Sequence, residues 1–225
     1  MEKKPHYYGH RQRLKEKLLK NPESPADYEL LELLLGQVLS RCDTKPIAKE
    51  LLEEFKSLGG VLNASDERLQ KIKGVGPGVL TSFKLLREIW TRIAEEPIFS
   101  NEELSSPEAV ARAAMARIGN LSIEQFWVAL VNTRNKVICW EMISRGTVDK
   151  TAVFPREIVA MALKYGASGV ILAHNHPGGD PTPSRNDIVR TQEISAACKS
   201  LDIRLMDHIV VTKDRYYSFM EAGRI

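Results

Sequence analysis

Apolar positions recur along this chain in two rhythms, helical spacing in the first part and short apolar runs bounded by turn residues in the second. Gly9 to Leu19 carries a partial stripe at Leu14, Leu18 and Leu19, which predicts a short basic helix. Asn21 to Asp27, with two prolines, breaks it, and Tyr28 to Leu35 and Pro46 to Phe55 read as two more helices with strong apolar faces. Leu69 to Ile89 holds two helical patterns joined by Gly74-Val-Gly-Pro-Gly78. Residues 94–105 are polar and contain a proline, so the domain linker is placed there. Ser106-Pro107 then caps and opens a helix to about Arg117, ended by Gly119. Phe126 to Val131 and Val137 to Ile143 read as a hairpin about the turn Thr133 to Lys136. A helix from Arg156 to Tyr165, closed by Gly166, leads into the apolar run Gly169 to Ala173. A third helix follows Ser184, and Ile203 to Met206, Ile209 to Thr212 and Tyr216 to Phe219 supply closing strands. Interleaved helices and strands with a hairpin among them predict an α/β mixed-sheet sandwich over residues 104–225, behind a smaller all-α domain over residues 1–97.

Composition changes this picture little. The 225 residues, 43% of them hydrophobic, suffice for one large or two small cores. The longest apolar stretches, such as Leu30 to Leu35, fall far short of the ~20 residues that span a bilayer, so no membrane role is expected. The start, Met-Glu-Lys-Lys-Pro, is charged and leads into no apolar signal core, and three scattered cysteines, Cys42, Cys139 and Cys198, form no CxxC pair; both features point to the cytoplasm and to free thiols. The net charge of +3 is unevenly spread: residues 1–20 hold seven Lys or Arg against two Glu, residues 21–67 are acidic by ten to four, and residues 68–92 are basic by six to one. Solvated helix faces account for such runs as readily as a partner does. No internal repeat is visible, which removes solenoid readings.

The densest chemistry lies in Leu172-Ala-His-Asn-His-Pro-Gly-Gly-Asp-Pro-Thr-Pro-Ser-Arg-Asn-Asp187. Period-2 alternation puts His174 and His176 on one face at the end of a buried strand. Pro177, Gly178 and Gly179 stop that strand, so the imidazoles stand where substrate can reach them. Asp187 follows eleven residues after His176 and three after Ser184. Two histidines and an aspartate, with water as the fourth partner, form the ligand set of a catalytic rather than a structural zinc. Ser184-x-x-Asp187 is equally the signature of a helix capping box, and a histidine near a strand end is often merely solvated.

His174-x-His176-x10-Asp187 with Ser184 between resembles the JAMM motif of the MPN+/JAB zinc metalloproteases, and His-Asn-His-Pro-Gly-Gly-Asp-Pro-Thr-Pro-Ser resembles the bacterial RadC family in particular. Tyr28-Glu-Leu-Leu-Glu-Leu-Leu-Leu35 and Asp43-Thr-Lys-Pro-Ile-Ala-Lys49 are similar to the N-terminal part of that family. The resemblance implies an MPN/JAB fold of the cytidine-deaminase-like kind, a Zn2+ cofactor on His174, His176 and Asp187, an oxyanion role for Ser184 and an upstream glutamate as general base. Glu124, just before the first strand, holds the place that family order implies; Glu141 in the partner strand competes, and Glu157 is a third candidate better explained as a first-turn acid. The family's name carries an association with DNA repair that the motif itself does not show. Asp207 and His208 read either as supports of the site or as a plain strand junction.

The glycine-rich segment resembles a helix-hairpin-helix. In that motif, Lys73, Gly74, Gly76 and Gly78 would let backbone amides approach a DNA phosphate without reading sequence, with Lys71 and Lys84 adding charge. Glycine-rich turns also join helices that never meet DNA. Three functions therefore stand: a zinc hydrolase of amide or isopeptide bonds in a protein or peptide; a DNA-processing nuclease or repair protein, disfavoured by the single ligand set; and a non-catalytic zinc-containing binding protein. The dispersed HNH nuclease signature is a different pattern, and a zinc deaminase is disfavoured because Pro-Cys-x-x-Cys is missing. Oligomeric state is not legible.

Overall fold

The computed structural model describes residues 6–40, 42–99, 107–146 and 153–225. The chain divides into two compact units, Met1–Ile89 and Trp90–Ile225.

The first unit is helical: α1 (His6–Lys20), α2 (Asp27–Val38), α3 (Lys45–Phe55), α4 (Leu58–Asn63), α5 (Asp66–Leu69) and the opening of α6 (Pro77–Phe99). Leu31 and Leu35 of α2 lie one turn apart and meet Ala48, Leu51 and Phe55 of α3; Leu69, Val79 and Phe83 complete this core. Arg11 reaches from α1 to the carbonyls of Gly36, Leu39, Ser40 and Cys42, satisfying acceptors that the end of α2 leaves open. Residues 94–99, read from composition as linker, are instead the last turns of α6. The Ser106 cap and residues 100–105 lie outside the described residues.

The second unit carries α7 (Pro107–Ala114), which runs into a π-helical turn, Met115–Gly119. Among the described residues, five strands follow, interrupted by two helices: β1 (Gln125–Val131), β2 (Val137–Arg145), α8 (Pro155–Lys164), β3 (Gly169–Asn175), α9 (Arg185–Lys199), β4 (Arg204–Val211) and β5 (Tyr216–Ser218). They form one mixed sheet in the order β2-β1-β3-β4-β5, with β3 and β4 parallel and the other neighbours antiparallel.

Alternation sorts the side chains to the two faces. Ala129, Val131, Ile171, Ala173, Ile209 and Val211 pack on Val110, Ala113 and Ala114 of α7. Phe126, Val128, Leu130, Val170 and Leu172 pack on Ile158 and Ala162 of α8 and Ile194 and Cys198 of α9. The result is an α/β sandwich with helices on both faces. At the last position of the π-helical turn, Gly119 leaves room for the Thr212 carbonyl oxygen, which a Cβ would approach to 2.4 Å.

One expectation needs correcting. The two runs Ile203 to Met206 and Ile209 to Thr212 are a single strand, β4, with a register shift opposite Val170 and Ile171. The apparent break came from two buried polar residues inside the strand, Asp207 and His208. Asp207 is fully partnered: its carboxylate accepts from the backbone N–H of His208 and Met220 and from the Ser218 hydroxyl. Burial raises its carboxyl, with these hydrogen bonds opposing.

Candidate metal centre

His174 follows Val170 and Leu172 onto the α8/α9 face, and it is fully buried. The chain stays beside β4 for one more residue, with the His176 N–H donating to the Val211 carbonyl at 2.9 Å, before Pro177 and the left-handed Gly179 turn it away. The polypeptide returns at Ser184 to start α9 with Asp187 at its third position. His174 Nε2 and His176 Nε2 are then 3.0 Å apart. Asp187 Oδ1 lies 3.5 Å from the first and Oδ2 3.6 Å from the second. One ligand atom from each of the three residues falls within 4.8 Å of the others, a grouping that suits a single ion.

The donor chemistry fits a cation. His176 Nδ1 lies 2.8 Å from the Asp180 carbonyl oxygen, which has no proton, so Nδ1 carries one and leaves the Nε2 lone pair free in the neutral ring. Burial acts to raise the Asp187 carboxyl, but the His174 and His176 imidazoles and Ser184 outweigh it and hold the group well below the usual carboxylate range. Asp187 raises His176, against the effect of burial. An ionised carboxylate facing two ring nitrogens is a cation-seeking arrangement.

The capping box and the candidate ligand set share Asp187. Asp187 Oδ2 accepts from the Ser184 N–H at 2.7 Å, and Ser184 Oγ accepts from the Asp187 N–H at 3.2 Å. The box that starts α9 therefore aims the Asp187 carboxylate at the histidines.

Glu124 stands one residue before β1, whose Phe126 is the register partner of His174. It lines a cleft together with Phe126, Ser144, Val153, Asn186, Asp187 and Arg190. Burial raises its carboxyl, while His174 and His176 oppose this. Its competitors lie elsewhere: Glu141 accepts from the Tyr165 hydroxyl at 2.7 Å, and Glu157 is an exposed residue in the first turn of α8. The loop that carries Glu124 is tied to the histidine strand by Asn175. That side chain accepts from the Gln125 N–H at 2.8 Å and donates to the carbonyls of Leu121 and Ile123, both at 3.3 Å.

Residues 104–224 match the family described as RadC-like JAB domain. The chain belongs to this RadC-like family. A UPF0758 protein of Fusobacterium nucleatum subsp. nucleatum is 40% identical over 225 residues, covering 96% of this chain and 97% of that protein.

Three polar residues of this RadC-like domain escaped the linear reading or were undervalued by it. Asn175 sits between the two histidines in sequence but faces the opposite side of the sheet, toward the Glu124 loop. His208, weighed as part of a strand junction, is fully buried with Nε2 2.8 Å from His174 Nδ1. Burial is the main reason its basicity is pushed well below that of a free histidine. Thr191, on α9, meets His208 Nδ1 at 2.6 Å. A polar pair inside an apolar strand was the available signal for His208; nothing in the linear pattern marked Thr191.

The glycine-rich segment of the first unit is tighter than its pattern suggested. Its first helix, α5, is one short turn ending at Leu69. Gly74 has φ +97°, and a Cβ there would meet Ile47 Cδ1 at 2.7 Å; one at Gly78 would meet Val38 Cγ1 at 2.9 Å. The left-handed backbone favours glycine at 74, and at both positions a side chain would press on a neighbour, while Gly76 has nothing within 4 Å of a built Cβ. Lys84 pairs with Asp66 at 2.5 Å, and Lys71 and Lys73 are exposed. Among the described residues, no helix is long and apolar enough to cross a membrane.

Proposed function

We propose that this chain is a zinc-dependent hydrolase of amide or isopeptide bonds, acting on a protein or peptide. The observation that carries this reading is the convergence of His174, His176 and Asp187 beside a cleft that also contains Glu124. Three protein ligands is the count found in catalytic zinc sites, where a further position is left for water or substrate. Bound there, zinc would supply Lewis acidity, polarising an acyl oxygen and bringing the acidity of water into the neutral range.

The remaining work belongs to side chains. Glu124, whose basicity burial increases, accepts a proton from the attacking water and delivers it to the nitrogen of the leaving amine. The Ser184 hydroxyl, whose oxygen already accepts the Asp187 N–H, donates its own proton to the acyl oxygen as negative charge grows. Loss of one such donor costs about 3 kcal/mol in comparable sites. Asn175 keeps the glutamate's loop against the end of the strand that carries His174 and leads into His176.

The test is an activity screen of the zinc-loaded protein on peptide, isopeptide and nucleic-acid substrates, with a His174→Ala His176→Ala double mutant as control. Cleavage of an acyl substrate that disappears in the double mutant is expected; retention of zinc by that mutant would sink the ligand assignment. Glu124→Gln should keep zinc and lose activity, whereas Glu141→Gln should keep both. The reverse pair of results would move the base to Glu141.

A second reading, a sequence-independent DNA contact by the Gly74 to Gly78 turn, is favoured by the open space at Gly76 beside exposed Lys73. Such binding should weaken steeply with salt and with Gly76→Asp. If neither changes binding, the turn serves packing alone.

A further inference from the structure

We propose that Thr191 and His208 are positioning residues that select the tautomer of His174 and so hold its Nε2 lone pair toward the metal. This inference rests on the zinc reading, but its observations are separate from the ligand set.

The direction of each hydrogen bond follows from one fixed end. Thr191 Oγ1 lies 2.6 Å from the backbone carbonyl oxygen of Asp187, one turn earlier in α9. Two oxygens at that distance need a proton between them, and only the threonine has one. Its hydroxyl proton is thereby committed, so toward His208 Nδ1, 2.6 Å away, Thr191 can act only as an acceptor. His208 Nδ1 therefore carries hydrogen. With that proton on Nδ1, the His208 ring has Nε2 left as its acceptor. The facing atom at 2.8 Å, His174 Nδ1, must then supply the proton of that contact. Nε2 of His174, the atom that faces His176 and Asp187, is thereby the ring nitrogen left for a metal ion.

The path begins at one candidate ligand and ends on the backbone of another. Ring orientation is fixed as well: Phe126 stacks on His174 with centroids 5.8 Å apart, and Phe219 stacks on His208 at 4.8 Å. With both rings held, the position of the proton is the remaining variable, and Thr191 sets it. A threonine hydroxyl bonded to the carbonyl four residues back is common helix filling. Here its second contact, to a buried imidazole, gives that bond a consequence at the metal centre.

Zinc affinity of the full chain, measured by competition against a chromophoric chelator, tests the proposal without an activity assay. Thr191→Val keeps shape and removes the hydroxyl; it should weaken zinc binding about ten- to a hundredfold, the range seen when partners of metal ligands are lost. Thr191→Ser should restore binding to near the parent value. Equal affinity in the parent and the valine variant would overturn the proposal. Nitrogen-15 NMR of the metal-free parent protein supplies a reading that depends on no variant folding: protonated Nδ1 and bare Nε2 on His208 are expected. Protonated Nε2 there would also overturn it. A parent protein that binds no zinc refutes the metal reading instead, and the same spectrum still decides the tautomer.

Discussion

At the scale of single residues, Glu124 and Asn175 make separable demands. Burial places the Glu124 carboxyl above the ordinary glutamate range, since removal from water disfavours the charged form. In the metal-free protein its carboxyl carbon should therefore titrate at higher pH than an exposed glutamate in the same NMR spectrum. Zinc should move that titration down, because a nearby dication favours the anion. A titration unmoved by zinc would place Glu124 too far from the ion to serve as its base. Asn175 is fully buried, and its side-chain hydrogen bonds go to the segment from Leu121 to Gln125. Asn175→Ala should destabilise the fold by about 1–3 kcal/mol, as unpaired buried groups do, and should lower kcat at least tenfold with bound zinc retained. Unchanged kcat in a folded Asn175→Ala protein would show that Glu124 keeps its place without that tie.

At the scale of elements, the start of α9 performs two tasks with one motif. A serine cap and an acid at the third helical position satisfy open N–H groups, and the same carboxylate faces both histidines. Ser184→Ala should cost about 1 kcal/mol of stability through the lost cap and should also weaken zinc binding by freeing Asp187. Ser184→Thr retains the cap and should preserve both properties. Denaturant unfolding and chelator competition on the two variants separate these effects; a stability loss with intact zinc affinity would confine the box to its helical role. Strand β3 is as economical. Even positions up to His174 face α8 and α9, while Asn175 turns to the α7 side, so three consecutive residues provide two candidate ligands and a brace.

At the scale of the whole molecule, the metal should act as a folding ligand for the second unit, because the three groups are gathered only in the native state. Free zinc at a hundred times its dissociation constant should add about 2.7 kcal/mol, visible as a raised thermal midpoint that the His174→Ala His176→Ala protein lacks. An equal rise in that mutant would assign the effect to other residues. The amino-acid sequence by itself determined the kinds of elements, their order and the candidate ligand set, because periodicity, turn residues and ligand spacing are local properties. Its errors were local too: polar composition concealed the last turns of α6, and Asp207 with His208 split β4 in two, since burial with full hydrogen bonding cannot be seen along the chain. Tertiary structure alone decided which glutamate joins the cleft, that the Asp187 carboxylate of the capping box also faces both histidines, and that Thr191 and His208 stand behind His174. Each of those depends on which strands are neighbours and in what register. Alternation tells a side chain which face it takes, and only the pairing of β1 and β4 with β3 tells it whom it meets there.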